Sequence, residues 1–321
     1  MAKTQEGGNN SKVKRFLVGL GIPTGIVAVA MAIFIALPQD LQDQISLWIE
    51  VQDSTEIVIP PDPHDERTVT SLVNFYPSST TQHIITHDFI KLSYAESHEQ
   101  AEWVAYELRA EDLQTFAFER PSSFKVDPKV TSGSAHPSDY LKSGYDRGHL
   151  APAADMSFDE DALKQSFYMS NISPQQPGFN RGIWKELEMQ VRDWCKQSQN
   201  LYIVTGPVLT LRAQRRLGKE KALAAPSRYY KILLDLNDVS SKAAAFLLPN
   251  KKSDERLSDY MVTIDSLEVL TQIDFFPHLP DKQEKELESR TFKNKWDFDE
   301  ERFMMRKLMW NPDAAQSRSF E

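Results

Sequence analysis

The stretch that decides the fold of this chain runs from residue 144 to residue 154 and reads GYDRGHLAPAA. A second run follows at residues 167 to 175 and reads FYMSNISPQ. Asn180 lies 31 residues after His149 and eight residues before Glu188. Histidine, amide and carboxylate side chains in such an ordered set are residue types that hydrolytic active sites use.

These runs resemble the DNA/RNA non-specific endonucleases, including the mitochondrial endonuclease G group, which share an Asp-Arg-Gly-His signature and a ββα-metal finger. The likeness continues in order through residues 202–209, 227–234 and 249–250. A four-residue motif recurs by chance, so the matching offsets of the later residues carry the resemblance. It implies a metal-dependent nuclease that hydrolyses phosphodiester bonds of DNA and RNA with little sequence preference.

The histidine of the signature is the predicted general base. Phosphodiester hydrolysis needs an attacking water that loses a proton, and a neutral imidazole accepts protons near neutral pH, which suits His149. An isolated histidine is more often a satisfied core residue, but the position directly after Asp-Arg-Gly favours the catalytic role. Gly148 is expected to let the backbone and a phosphate approach closely.

By resemblance, the metal ligand is Asn180. Its amide oxygen suits Mg²⁺, with Mn²⁺ as a substitute, and such an ion takes its other ligands from water and substrate phosphate. The ion would stabilise the transition state and the leaving group. Because the pattern predicts a helix that begins near residues 181–183, and Asn is a preferred N-cap residue, capping by Asn180 is an alternative that is compatible with metal binding.

The same predicted helix carries two further catalytic candidates. It has an apolar stripe and, on another line, Glu188 and Arg192 four residues apart. In the family the matching glutamate supports the hydrated metal and the matching arginine faces phosphate. A plain surface ion pair between Glu188 and Arg192 is the alternative. The stripe consists of Ile183, Leu187, Val191 and Trp194.

Five more residues complete the predicted site. Arg147 is a catalytic candidate that contacts phosphate, for which a planar guanidinium is suited, and a salt bridge to Asp146 is its alternative. Asp146 is expected to orient the finger, and Asn171, nine residues before Asn180, to fix local hydrogen bonds. Arg181 and Arg228 are candidate phosphate contacts.

The charge balance restricts where nucleic acid can bind. The chain has 37 basic and 46 acidic residues, a formal net charge of −9, so a nucleic-acid surface must be a local patch. The segment 211–231 is the candidate, and an ordinary solvated surface is an equal alternative. Its basic residues are Arg212, Arg215, Arg216, Lys219, Lys221, Arg228 and Lys231. The acidic balance also leaves open a family member that binds nucleic acid or a partner at the membrane without turnover.

The N-terminal region predicts a membrane anchor. Residues 16–37 carry no charge and follow a basic tail, 1–15, so we expect a transmembrane helix with its N-terminus in the cytoplasm. The nuclease domain would then lie on the far side, in the bacterial periplasm or the mitochondrial intermembrane space. A cleaved signal peptide and a mitochondrial targeting segment are the alternatives.

The remaining sequence predicts one α+β nuclease domain at residues 70–280 with an antiparallel sheet, after a proline-containing linker at 38–69. A helical extension is expected at 281–321, and the resemblance adds a homodimer as one form of assembly. Cys195 is the only cysteine, which excludes an intramolecular disulfide. Strands are predicted at residues 89–94, 201–205, 229–234 and 244–248.

Overall fold

The computed structural model describes the chain in four ranges, residues 75–114, 118–220, 222–236 and 241–310. Within these ranges no helix is both long enough and apolar enough to cross a bilayer. The predicted tail, anchor and linker, residues 1–69, lie outside the described residues. The anchor therefore stays a prediction.

An antiparallel sheet forms the centre of the described part. Its order is β1-β2-β3-β6-β9-β10-β11, and two separate pairs, β4-β5 and β7-β8, accompany it. The strands are β1 (Ile84–Thr86), β2 (Lys91–Ala95), β3 (Gln100–Arg109), β4 (Asp146–His149), β5 (Ile172–Gln175), β6 (Asn200–Pro207), β7 (Arg215–Leu217), β8 (Leu223–Ala225), β9 (Arg228–Asp235), β10 (Lys242–Pro249) and β11 (Met261–Val262).

The four predicted strands are confirmed as β2, β6, β9 and β10. The long strand β3, which lies between β2 and β6, was not predicted. Nearly all of its side chains are buried, including the polar Gln100 and Glu102. A strand covered on both faces lacks the alternation of polar and apolar residues that identifies a half-exposed strand.

Helices cover both faces of this sheet. The α-helices are α1 (Glu160–Ser166), α2 (Lys185–Ser198), α3 (Ile264–Thr271), α4 (Asp281–Glu288) and α5 (Glu300–Trp310), and a π-helical turn, Phe179–Trp184, precedes α2. Short 3₁₀ segments occupy Glu96–His98, Asp112–Gln114, Pro137–Tyr140, Ala153–Asp155, Met169–Asn171, Leu257–Tyr260 and Lys293–Lys295.

Alternation along the strands divides the core into two clusters. On one face, the predicted apolar stripe of α2 is buried together with Ile203 and Leu233. On the other face, α3 and α4 pack through Leu267 and Leu287 among residues such as Ile232. Successive side chains of a strand point to opposite faces, so one strand supplies both clusters. The two faces keep α2 apart from α3 and α4.

The finger consists of β4 and β5 followed by α2. The two strands pair antiparallel, with Asp146 opposite Gln175 and His149 opposite Ile172. Helix α2 is anchored by its apolar stripe, in which Trp194 is 1% exposed. Replacing a buried tryptophan of this kind by alanine costs about 3–5 kcal/mol. The helix of the finger is thus rigidly packed in the core.

Candidate active site

His149 ends strand β4 and packs between two aromatic rings. Its ring centroid lies 5.4 Å from that of Phe124 and 5.1 Å from that of Phe167. Its Nε2 atom is buried and has no hydrogen-bond partner among the described residues. Burial, with the nearby charge of Arg120, lowers the pKa of His149 to about 3. The imidazole is therefore neutral at neutral pH, the form that accepts a proton.

Two arginines flank the same aromatic pair. The guanidinium of Arg147 lies over the ring of Phe124 at 5.0 Å, and that of Arg120 over the ring of Phe167 at 5.2 Å. Both arginines are exposed. Stacking on a ring restrains a guanidinium while its N–H groups stay free to contact an anion. Two positively charged groups therefore border His149.

Asp146, at the start of β4, holds two residues of the turn before α2. Its carboxylate accepts bonds of 2.8 and 2.7 Å from Arg181 and one of 3.0 Å from Nδ2 of Asn180. Burial acts to raise the pKa of Asp146, but these bonds outweigh it and lower the pKa. The alternative of a salt bridge between Asp146 and Arg147 is wrong, because Arg181 takes that place.

Asn180 lies within the π-helical turn and does not cap the helix. Its backbone N–H donates to the carbonyl of Gln176, and helix α2 begins only at Lys185. Gly182 interrupts the turn after Asn180 with a non-helical backbone, φ −103° and ψ −112°. The N-cap alternative is therefore wrong. With Nδ2 directed at Asp146, the amide oxygen Oδ1 is left as the acceptor of this side chain.

Glu188 lies on the face of α2 that meets the sheet, near a buried lysine of β9. Burial raises the pKa of Glu188, while the charges of Lys231 and Arg192 act in the opposite direction. Lys231 is 1% exposed, with its Nζ 4.9 Å from the ring centroid of Trp184 and 3.5 Å from the carbonyl oxygen of Leu150. Burial lowers the pKa of Lys231, against the effect of Glu188. The half-buried Glu188 and the buried Lys231 thus act on each other through their charges, and no ion pair within 4.0 Å joins them among the described residues.

Arg192 is directed at the carboxylate of Asp155 and not at that of Glu188, which was the alternative to a phosphate contact. Its NH1 donates to Oδ1 of Asp155 at 2.8 Å, and Tyr106 donates to Oδ2 of the same residue at 2.8 Å. Asp155 is 1% exposed. A surface ion pair between Glu188 and Arg192 is not present among the described contacts, so that alternative is wrong: α2 buries this edge against Tyr106 and Asp155, which takes the guanidinium.

Asn171 is fully buried and fixes the loop after His149. Its Oδ1 accepts from the backbone N–H of Ala151, and its Nδ2 donates to the carbonyls of Ala151 and Ser166, all at 2.8–2.9 Å. Leu150 also donates its N–H to the carbonyl of Asn171. Every polar atom of this amide group thus has a partner, and none is left for substrate.

Gly148 allows a close approach by the side chain of Gln175, and its expected approach to phosphate stays a prediction. A Cβ at this position would lie 2.2 Å from Cδ and Oε1 of Gln175, which is buried on the paired strand β5. The close approach that requires glycine in the structure is therefore between β4 and a neighbouring side chain. Gly148 allows the two strands of the finger to pair with Gln175 packed between them.

The last residue of the basic segment 211–231 does not belong to the predicted surface patch. Lys231 is not a surface residue, because strand β9 points it into the core. Arg228, at the start of β9, is exposed, and its side chain has no hydrogen bond or ion pair to another described residue. Lys221 lies outside the described residues. The exposed members are Arg212, Arg215, Arg216, Lys219 and Arg228.

Sequence reasoning missed Arg120 and the role of Lys231. Arg120 follows a segment without a recognisable pattern, and only folding brings it to Phe167. Lys231 carried a usable signal, since it is a lone charge inside the apolar strand sequence YYKILL. A charge at an inward position of a buried strand needs a partner, which identifies a polar site in the core.

The comparisons with known proteins agree with this geometry. The family model of the DNA/RNA non-specific endonucleases matches residues 70–282. The zebrafish (Danio rerio) mitochondrial nuclease EXOG is 35% identical over 211 residues, which cover 61% of this chain and 61% of that protein. Human mitochondrial endonuclease G is 32% identical over 190 residues, 55% of this chain and 64% of that protein. The chain thus spans less than two thirds of the length of these relatives.

A solved structure also resembles the fold. The crystal structure of an EndoG/EndoGI complex, which concerns the mechanism of EndoG inhibition, aligns with a TM-score of 0.62 and 28% identity. The alignment covers 69% of this chain and 96% of that one. The matched family region contains the finger, the antiparallel sheet and every predicted site residue from Asp146 to Arg228. The chain therefore belongs to the DNA/RNA non-specific endonuclease family.

Proposed function

We propose that this chain is a metal-dependent endonuclease that hydrolyses phosphodiester bonds of DNA and RNA with little sequence preference. The observation that carries the proposal is the neutral, aromatic-packed His149 at the end of β4, three residues after the carboxylate that orients Asn180. A base and an oriented amide oxygen on one finger are the parts that this reaction requires.

His149 acts as the general base. Its Nε2 is buried without a partner among the described residues. The proposal therefore assigns Nδ1 as the ring nitrogen that a water molecule reaches. Nδ1 takes the proton of the attacking water as oxygen bonds to phosphorus, and the bond from phosphorus to the 3′ oxygen breaks. Phe124 and Phe167 hold the ring in place. A fixed imidazole keeps the proton acceptor aligned with the water.

Asn180 and Glu188 fit a hydrated metal ion. The amide oxygen of Asn180 faces away from Asp146, and the carboxylate of Glu188 can accept hydrogen bonds from metal-bound waters. When bound, Mg²⁺, or Mn²⁺ in its place, supplies positive charge to the phosphate and the departing oxygen. Burial raises the pKa of Glu188 to about 7, and the charge of Lys231 acts against this shift, so it favours the charged form that this role needs.

The arginines recognise phosphate. Arg147 and Arg120 border His149, Arg181 is exposed beside Asn180, and Arg192 contacts the phosphate with the N–H groups that Asp155 leaves free. Arg228 and the other exposed cations of segment 211–231 extend the contact to neighbouring phosphates. Contacts to phosphate carry no base information, and this accounts for the low sequence preference. The local patch also overcomes the unfavourable net charge of −9.

A plasmid-nicking assay tests the function. The full-length chain with Mg²⁺ is expected to convert supercoiled plasmid to open circles, and EDTA to stop it. His149→Ala should lower the rate by at least about 10²-fold, whereas His278→Ala, a change at an exposed histidine, should not. Unaltered cleavage by His149→Ala contradicts the proposal. Binding of nucleic acid without turnover over a range of metals would favour the silent alternative.

The anchor and the assembly are proposed from sequence. Residues 16–37 anchor the chain, with the tail 1–15 in the cytoplasm, or on the matrix side in a mitochondrion, and domain 70–280 across the membrane. Several relatives are named as mitochondrial, which favours the intermembrane space over the bacterial periplasm. Alkaline extraction with protease protection tests the anchor. A homodimer, which the resemblance implies, is tested by sedimentation of the full-length chain.

A further inference from the structure

A group of three carboxylates lies on the sheet face opposite α2. Asp265 and Glu268 of α3 and Glu288, the last residue of α4, each bring one carboxylate oxygen within 4.8 Å of the others. Helices α3 and α4 pack in the core cluster of that face, whereas α2 packs in the other cluster. The group is therefore separate from the His149 site.

Within the described ranges, none of these carboxylates forms an ion pair with a basic side chain within 4.0 Å. Asp274 and Glu284 add further negative charge nearby. Glu268 accepts one hydrogen bond, 2.9 Å from the backbone N–H of Phe275. Like charges at such short range repel, so the arrangement needs a counter-charge or a shared proton.

The carboxylate of Glu288 is too buried for solvent alone to satisfy it. The residue is only 6% exposed, and its Oε1 is buried with no hydrogen-bond partner in the part of the chain that the structure describes. Burial, with Glu268 and Glu284, raises the pKa of Glu288 to about 8. Buried carboxylates in native proteins are paired, hydrogen-bonded or bound to metal. The carboxylates of Asp265 and Glu268 on α3 each have an oxygen within 4.8 Å of an oxygen of Glu288.

We propose that Asp265, Glu268 and Glu288 form a second, structural site for a hard divalent cation, with Ca²⁺ the best fit. Two Ca²⁺–oxygen distances of about 2.3–2.6 Å span about 4.6–5.2 Å, which matches three oxygens within 4.8 Å of one another. Mg²⁺ needs a tighter octahedron and retains its waters. The ion joins the first turn of α3 to the last residue of α4.

Calorimetric titration of the metal-free, full-length chain with CaCl₂ tests the site. The background is Asn180→Ala, because this change removes the proposed ligand of the catalytic ion. One Ca²⁺ per chain is expected to bind. Glu288→Gln and Asp265→Asn should each weaken this binding by about tenfold or more, whereas Glu286→Gln, on the exposed side of α4, should not.

Thermal unfolding supplies a second readout. Ca²⁺ should raise the midpoint of Asn180→Ala and leave that of the added Glu288→Gln change unmoved. Absence of Ca²⁺ binding in the Asn180→Ala background would overturn the proposal, as would unaltered affinity in the carboxylate variants. A midpoint raised by Glu288→Gln in a chain that binds no ion would assign the group to a shared proton instead. Asp265 is exposed, so Asp265→Asn decides the matter where Glu288→Gln fails to fold.

Discussion

Asp146 and Asn180, 34 residues apart in sequence, are joined by a 3.0 Å hydrogen bond from Nδ2 of the amide to Oδ2 of the carboxylate. The guanidinium of Arg181 donates two hydrogen bonds to the same carboxylate. Since the amide nitrogen donates to Asp146, the amide oxygen is left as the acceptor of this side chain. A single carboxylate thus sets the orientation of the proposed metal ligand.

Removing that carboxylate should weaken metal binding. In Asp146→Asn, the new amide at position 146 cannot accept the hydrogen bonds from Asn180 and Arg181 as the carboxylate does. The side chain of Asn180, the proposed metal ligand, then loses its fixed orientation. The Mg²⁺ concentration for half-maximal plasmid nicking is expected to rise by about 10–100-fold. Mg²⁺ titration of the nicking rate measures this, with Asp161→Asn, an exposed change on α1, as the control. An unchanged Mg²⁺ requirement would contradict the orienting role.

Lys231 should be needed for stability as well as for the charge of Glu188. In Lys231→Met, Glu188 loses its buried counter-charge, and the free energy of unfolding is expected to fall by about 3 kcal/mol. Adding Glu188→Gln should restore part of the loss, since no uncompensated charge then remains. Urea unfolding of the single and double variants measures both effects, with the exposed Lys219→Met as control. Strictly additive losses would show that the two groups do not interact.

Gly148 should tolerate no side chain while Gln175 is present. The Cβ of Gly148→Ala would lie 2.2 Å from the Gln175 side chain, so the finger must shift, at a cost of about 1–3 kcal/mol. Truncation of the neighbour in Gly148→Ala/Gln175→Ala should recover part of that loss. The measurement is urea unfolding of Gly148→Ala, of Gln175→Ala and of the double variant. A double variant no more stable than Gly148→Ala would place the clash elsewhere.

His149 should make the chain sensitive to acid. Its pKa falls from 6.5 to about 3 on folding, so between these values the unfolded state binds more protons than the native state. The free energy of unfolding therefore decreases as the pH falls through this window. His149→Gln cannot take up that proton and should lose less stability between about pH 7.5 and about pH 4.5.

Urea unfolding at the two pH values separates this effect from the rest of the protein. Asp127 and Asp146, whose pKa values are lowered, destabilise wild type and variant equally when they are protonated. Only the difference between the two chains reports on His149. Equal losses in both chains would mean that the imidazole is accessible to protons in the native state.

Part of the fold could be read from local pattern. Strands such as β9 and β10 are apolar runs bounded by turn residues, and the stripe on α2 repeats at helical spacing. Strand β3 was not predicted, because burial on both faces removes the alternation of polar and apolar residues. The corrected assignments share one cause, since a side chain on a known element can meet several partners, and residue spacing along the chain does not choose among them.

The sequence by itself determined the family resemblance, the order of the site residues and the helix that carries Glu188 and Arg192, because these depend on motifs and periodicities within short stretches. Only the tertiary structure decided the partners. Asp146 holds Arg181 rather than Arg147, and Lys231 lies in the core rather than on the surface. The physical reason is that such contacts join residues about 35 or more positions apart, which meet only when α2 packs on the sheet.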